Sequence, residues 1–550
     1  MSSRLRNRQM LPSLPALPRL FATSKLSLHR SLSTFAEPPT RITTLPNKIK
    51  VATNDVAAHI QAVGVTVAAG SRYETDETRG FSYMLSKLAF KSSSNRSVTD
   101  YALDMERYVS TLACHVGRET LLYQAHFPSQ NLSPVLSLVS DTMLHPLITP
   151  GEVEESLLGA SYELMLYDEK ADAFLMEVLQ NVAFGKKALG RPNLPDPVDV
   201  DFTEQGIPPI GTTITPERLQ AFRKLWFRPE RIVVSGTGME HDELVKLTEA
   251  QFGHLPYVAP IQTGEDSARA LSTGWFKSLA SSLTPISSPE ESVGGLSAAG
   301  SMDLIEVPPI GQPAAVYTGG VDIDVRPGME MCHVFVGFEG LDANDEDVYA
   351  LAVIQMLLGD GASFSSGGPG KGLLSRFYTG VMIGSHGLEN VNSMNLPYSD
   401  GGLFAVSLTC MPGVLQKYLN RLAVELASIM KPHNLTYPVQ PIELSRAKNR
   451  LKSAMLYAQE DPRVEAEDLG AQVMINGKRM PIKEMLAKID AVSMGDLARV
   501  ANRVFARGNS GKGKLTVVAR GPETVSQVES MVNRAWSSKG LYVGPGTKWV

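Results

Sequence analysis

Two sets of residues could do chemistry in this chain: one glycine-rich run and ten histidines. The run reads Gly359-Asp360-Gly361-Ala362-Ser363-Phe364-Ser365-Ser366-Gly367-Gly368-Pro369-Gly370-Lys371-Gly372, between the apolar Met356-Leu357-Leu358 and Leu373-Leu374-Ser375-Arg376-Phe377-Tyr378. Glycine has no Cβ to restrict φ, so such a segment can take left-handed and extended conformations and let another chain approach its backbone closely. A phosphate cradle would need a strand before the run and a G-K-[ST] ending to reach magnesium. Here Gly372 follows Lys371, Pro369 removes one N–H, and the preceding residues read as helix, so nucleotide binding is excluded. A plain linker is also a poor description, because the run is short, contains Phe364 and Lys371, and joins two apolar segments of one domain. It reads as a functional loop.

Zinc hydrolysis needs converging ligands and a carboxylate to take a proton from metal-bound water. No two histidines lie three or four residues apart, so neither H-E-x-x-H nor its inverse can be written anywhere. Cys114, Cys332 and Cys410 are far apart and form no C-x-x-C pair, which fits buried thiols in a reducing compartment. G-x-S-x-G is absent near the glycine run. On its own residues, then, the chain carries no legible hydrolytic centre.

The elements around these residues belong to a protein of 550 residues, 43% hydrophobic and 20% charged, which implies at least two domains of ordinary globular composition. The net charge of −5 and the lack of a Lys/Arg block give no nucleic-acid footprint. Residues 1–35 are a different material: Arg4, Arg6, Arg8, Arg19, Lys25 and Arg30 stand among serines and leucines, with no acidic residue before Glu37. This is the composition of a mitochondrial transit peptide, ending near Ser33. No later stretch approaches the roughly 20 apolar residues of a transmembrane helix.

Strands are expected at residues 48–51, 60–69, 114–116, 121–126 and 231–236, and helices at 81–90, 99–111, 132–143, 150–168 and 216–226. The last opens on Thr215-Pro216, a cap followed by proline at the first helical position. The same order returns downstream: a strand at 334–340, a helix at 348–358, a helix from Ser493 and a strand at 515–521. The offset of roughly 280 residues points to a domain duplication, since solenoids repeat at about 20–50. The expected organisation is an N-terminal domain at 41–260, a Ser/Gly/Pro-rich linker at 261–302 and a C-terminal domain at 303–550.

Three features together resemble the pitrilysin/insulinase metallopeptidase family: the glycine loop, the helix start at Gly80, and Pro313-Ala314-Ala315-Val316-Tyr317-Thr318-Gly319-Gly320 opening the second half. The loop is similar to that of the family's alpha-type subunits. The resemblance implies an α/β (α+β) protein of two duplicated sheet-and-helix domains. Active relatives carry an inverted H-x-x-E-H zinc motif on the N-terminal helix. The matching positions here are Tyr83, Ser86 and Lys87, ahead of Leu88-Ala89-Phe90, and the distal glutamate ligand falls at or next to Glu163. Both imidazoles and the general base are missing, and a Lys87 ammonium opposes a metal cation.

The resemblance therefore implies a chain without zinc or catalysis of its own. It would pair in the mitochondrial matrix with a catalytic beta subunit that holds the zinc, and recognise the Arg-bearing presequences of imported precursors through the loop Gly359 to Gly372. The loop departs from the family pattern at Asp360 and Ala362, and Asp360 reads either as an arginine contact or as a surface charge. Asp342, Asp345, Glu346 and Asp347 read either as peptide contacts or as ordinary acidic residues before a helix N-terminus. The alternative is a structural core protein of the respiratory cytochrome bc complex, which shares the duplicated fold.

Overall fold

The computed structural model describes residues 39–54, 58–194, 214–257, 313–362, 374–431, 438–507, 514–539 and 541. The transit-peptide segment, the linker at 261–302 and residues 363–372 of the glycine loop lie outside the described residues.

The first sheet comprises β1 (Thr40–Thr44), β2 (Lys50–Asn54), β3 (Ile60–Val67), β4 (Thr111–Val116), β5 (Leu121–Pro128) and β6 (Ile232–Thr237), in the order β1-β2-β6-β3-β5-β4. Its helices are α1 (Phe81–Lys87), α2 (Val98–Arg107), α3 (Leu132–Leu144), α4 (Pro150–Glu169), α5 (Ala171–Ala183), α6 (Pro216–Trp226) and α7 (His241–Phe252). The second sheet comprises β7 (Gly320–Val325), β8 (Cys332–Glu339), β9 (Gly361–Ala362), β10 (Leu388–Pro397), β11 (Gly402–Cys410) and β12 (Thr516–Gly521), in the order β7-β12-β8-β11-β10-β9. With it come α8 (Val348–Leu358), α9 (Leu415–Met430), α10 (Pro441–Ala458), α11 (Pro462–Asn476), α12 (Ile482–Ala491), α13 (Met494–Ala501) and α14 (Val528–Ser537).

The duplication is visible in the pairing. β6 runs parallel to β2 and antiparallel to β3, just as β12 runs parallel to β7 and antiparallel to β8. β3-β5-β4 then matches β8-β11-β10. Among the described strands, β1 and β9 lack counterparts, and β9 holds Gly361 and Ala362 of the glycine loop.

Local chemistry moves several expected boundaries. The strand expected at 48–51 begins at Lys50, because Lys48 takes a left-handed conformation (φ 78°) in a tight turn closed by Leu45 and Ile49. That turn creates β1, which sequence patterning does not show. The helix expected at 99–111 stops at Arg107; Val109 at φ 49° reverses the chain, and Thr111 becomes the first residue of β4. Helices at 216–226 and 348–358 form as expected.

Each sheet packs its main core against helices of its own half. Val63, Val65 and Val67 of β3 join Phe81, Leu136 and Phe222, while Val334, Val336 and Phe338 of β8 join Leu351, Leu419 and Phe505. The opposite faces are covered by exchange. α5, from the first half, lays Leu175, Leu179 and Ala183 against Phe335, Leu403 and Val518 of the second sheet. α11, from the second half, lays Leu469 and Val473 against Ala52 and Val233 of the first. α11 approaches so closely that a Cβ on Gly470 would stand 2.5 Å from Thr66 Oγ1. β3 is thus buried on both faces, and the small residues Gly64 and Thr66 are the imprint of the second helix.

Candidate functional site

The helix that carries Tyr83, Ser86 and Lys87 is only seven residues long, so outside support fixes it. It starts after Gly80, whose φ of 75° suits glycine and whose side chain supplies no cap. The buried Glu74 substitutes: its carboxylate accepts the backbone N–H groups of Gly80 (2.9 Å) and Ser82 (2.7 Å). Burial pushes the Glu74 carboxyl up to about 7, against the pull of those bonds and of Arg191. Ser82 Oγ donates to the carbonyl of Ala69 (2.9 Å), tying the helix start to the end of β3.

Tyr83 and Lys87, four residues apart, share one face of α1. Both reach Glu163 on α4, more than 70 residues away in sequence. Tyr83 Oη donates to Glu163 Oε2 (2.5 Å) and Lys87 Nζ to Glu163 Oε1 (2.6 Å), so each carboxylate oxygen has a partner. Lys87 Nζ also stands 5.1 Å from the centre of the Tyr83 ring. Burial raises the Glu163 carboxyl, but the hydrogen bonds from Lys87 and Tyr83 and the lysine charge outweigh it, leaving the group below the ordinary range. Burial first, then the Glu163 hydrogen bond and charge, hold the Tyr83 phenol far above its ordinary value and therefore protonated. Ser86 turns away, donating to the carbonyl of Tyr83 (2.7 Å).

Of the four sequence-selected positions, Tyr83, Lys87 and Glu163 thus converge and Ser86 does not. They do not fit zinc. Its sites take imidazole, thiolate or carboxylate donors; here one carboxylate is saturated by a neutral phenol and an ammonium, and Lys87 places positive charge where the cation would sit. No group of three or more His, Cys, Asp or Glu suited to a metal occurs among the described residues.

The visible part of the glycine loop is its base. Gly359 ends α8 at φ 72° and ψ −156°, and a Cβ there would lie 2.3 Å from that of Ser375, so the chain leaves and returns at one point. Ser393 Oγ donates to the Gly359 carbonyl (2.9 Å), and Gly361 and Ala362 pair with Val391 and Asn390 as the edge strand β9. Asp360 is engaged by Arg450 (2.7 Å). On the returning side, Arg376 is buried between Glu425 (2.8 Å) and Glu443 (3.1 Å).

Two of the acidic candidates in the 342–347 turn are held internally. Asp347 pairs with Arg499 (2.6 Å) and Arg503 (2.9 Å), and Asp345 with Arg503 (2.6 Å). Hydrogen bonding to Arg499 is the main reason the Asp347 carboxyl lies below its usual range. Sequence reasoning missed Arg72, Glu74, Arg376 and Arg450, since nothing local marks a charged residue that will be buried or paired at long range.

The described fold is a duplicated sheet-and-helix scaffold, and on one of its helix pairs Tyr83 and Lys87 converge on Glu163 in an arrangement that does not fit zinc. The chain belongs to the insulinase family of peptidases, M16: residues 50–196 match the family model and residues 213–451 match the family's inactive-domain model. Among its relatives is the mitochondrial-processing peptidase subunit alpha of Neurospora crassa, 35% identical across 86% of this chain and 84% of that protein. The probable subunit alpha of Schizosaccharomyces pombe is 30% identical, across 92% and 89%. The human subunit alpha is 27% identical, across 91% and 85%. The similarity to alpha-type members that the loop suggested thus extends over most of the chain. No described helix is long and apolar enough to cross a membrane.

Proposed function

We propose that this chain is the non-catalytic, substrate-recognition subunit of a two-chain zinc protease that removes presequences from imported precursors in the mitochondrial matrix. The observation that carries the reading is the occupation of Glu163 by Lys87 and Tyr83 at the positions of the family's metal ligands. Such a site gives no hydrolytic water, so the zinc and the cutting fall to a catalytic beta subunit. The relatives named above are all alpha subunits, which supports a partner of that kind.

This chain's share is to bind the presequence. The loop Gly359 to Gly372 handles the peptide from an anchored base, made by Gly359 against Ser375, β9 against β10 and Arg376 between its two carboxylates. Carboxylates elsewhere on the chain meet the presequence arginines, because Asp345, Asp347 and Asp360 already have internal arginine partners.

The test is reconstitution with a family member that has an intact inverted zinc motif. Neither chain alone should cleave a presequence peptide, the mixture should, and zinc should accompany the partner. Deleting residues 363–372 should raise KM about tenfold with kcat little changed, the mark of lost ground-state binding. Unchanged kinetics would remove the loop from substrate handling, and zinc bound by this chain alone would overturn the non-catalytic role. Copurification with respiratory membrane subunits instead of a soluble protease partner would favour the structural core reading.

A further inference from the structure

The helix that carries Glu163 has two apolar faces. Its inward face is made of small or single large residues, Val153, Ser156, Ala160 and Leu164, all buried. On the opposite side Leu158, Tyr162, Met165 and Leu166 form a continuous stripe at helical spacing, and each is 40–63% exposed. Four large apolar side chains left in water along one helix mark an interaction surface when polar groups rim them. The rim here is mainly acidic: Glu154 and Glu155 lie at one end of the stripe, and Glu169, with Lys170 beside it, at the other, all exposed. Glu155 pairs with Lys91 at 2.8 Å, whereas Glu154 and Glu169 have no ion-pair partner among the described residues. From Glu155 to Glu169 the helix runs about 21 Å.

We propose that this outer face of α4 is a docking surface for a basic amphipathic peptide segment, apolar side chains on the stripe and arginines or lysines on the terminal glutamates. The inference rests on the presequence-recognition reading and adds where the apolar face of the peptide is held. Charge selects this occupant over others. A second copy docked face to face would set Glu154, Glu155 and Glu169 against a like-charged face, and an anionic lipid surface would meet the same carboxylates. A basic peptide satisfies both the stripe and its rim, and its position beside Glu163 puts it next to the site that has lost its metal ligands.

The experiment uses the full chain and a labelled synthetic amphipathic peptide with leucine on one face and arginine on the other, read by fluorescence anisotropy. The combined variant Leu158→Gln, Tyr162→Gln, Met165→Gln and Leu166→Gln should raise Kd at least about tenfold, and a peptide of equal charge with serine for leucine should bind the wild type as weakly. Because all four side chains face solvent, the variant should keep the wild-type circular dichroism. The milder Glu154→Lys with Glu169→Lys should weaken binding and flatten its salt dependence. Wild-type affinity in the four-site variant would overturn α4 docking while leaving presequence recognition intact. A wild-type chain that does not bind the peptide would remove the reading beneath it as well. Normal peptide binding with lost association to the catalytic partner would make this face a subunit interface and overturn the proposal.

Discussion

Three side chains decide what the altered zinc site can do. Tyr83 and Lys87 each take one oxygen of Glu163, and the pair is half exposed, so the arrangement contributes little stability, on the order of 0–1 kcal/mol. Its effect is chemical: it occupies both oxygens of the carboxylate that the resemblance puts at a ligand position and brings a cation beside it. If this geometry preserves the ancestral frame, the metal site can be rebuilt. The triple substitution Tyr83→His, Ser86→Glu and Lys87→His restores the inverted motif on α1 opposite Glu163. Metal analysis after dialysis should find about one zinc per chain in this variant and none in the wild type. A triple variant without zinc would show that Glu163 is out of ligand position. The resemblance singled out Tyr83, Ser86, Lys87 and Glu163. That Tyr83 and Lys87 would pair with Glu163 was not legible, because a contact spanning 76 residues leaves no local signal.

At the scale of elements, α1 depends on a neighbour for its cap, and that dependence sets a pH response. Glu74 titrates near 7 in the folded chain and at 4.5 when exposed. Between those values the unfolded chain gives up the proton and the folded chain keeps it, so stability falls as pH rises through the window and levels off above it. The full effect is about 3 kcal/mol. Glu74→Gln keeps one acceptor and removes the titration, so its stability should gain on the wild type from about pH 5 to about pH 7.5 in thermal melts. Parallel profiles would mean that Glu74 stays ionised throughout. What sequence reveals of the elements follows the same local logic. α8 and α6 are readable because an apolar run or a Thr-Pro cap bounds them. The exchange of α5 and α11 is not, because an amphipathic stripe shows that a helix packs and not on which sheet. Its only trace is indirect, in small residues such as Gly64 and Gly470 that permit a close approach.

The whole molecule turns these elements into one body. Besides the exchanged helices, buried arginines bind one half to the other. Arg520 of β12 is held by Asp168 from the first half and stacks 3.9 Å from the Phe174 ring centre. Arg72, just before Glu74, is fully buried; it pairs with Glu119 (2.7 Å) in its own half and reaches Asp400, Ser399 (3.2 Å) and the Pro313 carbonyl (Nε, 3.0 Å) in the other. The entry to α1 is therefore clamped to the second half, which connects the altered metal site to the half that carries the glycine loop. Cutting this link should cost more than any surface pair, because Arg72→Met removes a fully buried guanidinium that holds Glu119, Asp400, Ser399 and the Pro313 carbonyl together. The expected loss is about 3–5 kcal/mol. Adding Asp400→Asn should recover part of it by removing one of the two carboxylate charges that Arg72 balanced, a coupling that a double-mutant cycle measures. Hydrogen exchange should show residues 71–82 and 399–401 losing protection together, while β3 and β8 keep theirs. A loss below about 1 kcal/mol, or protection lost on one side only, would mean that Arg72 is not among the contacts that hold the two halves together.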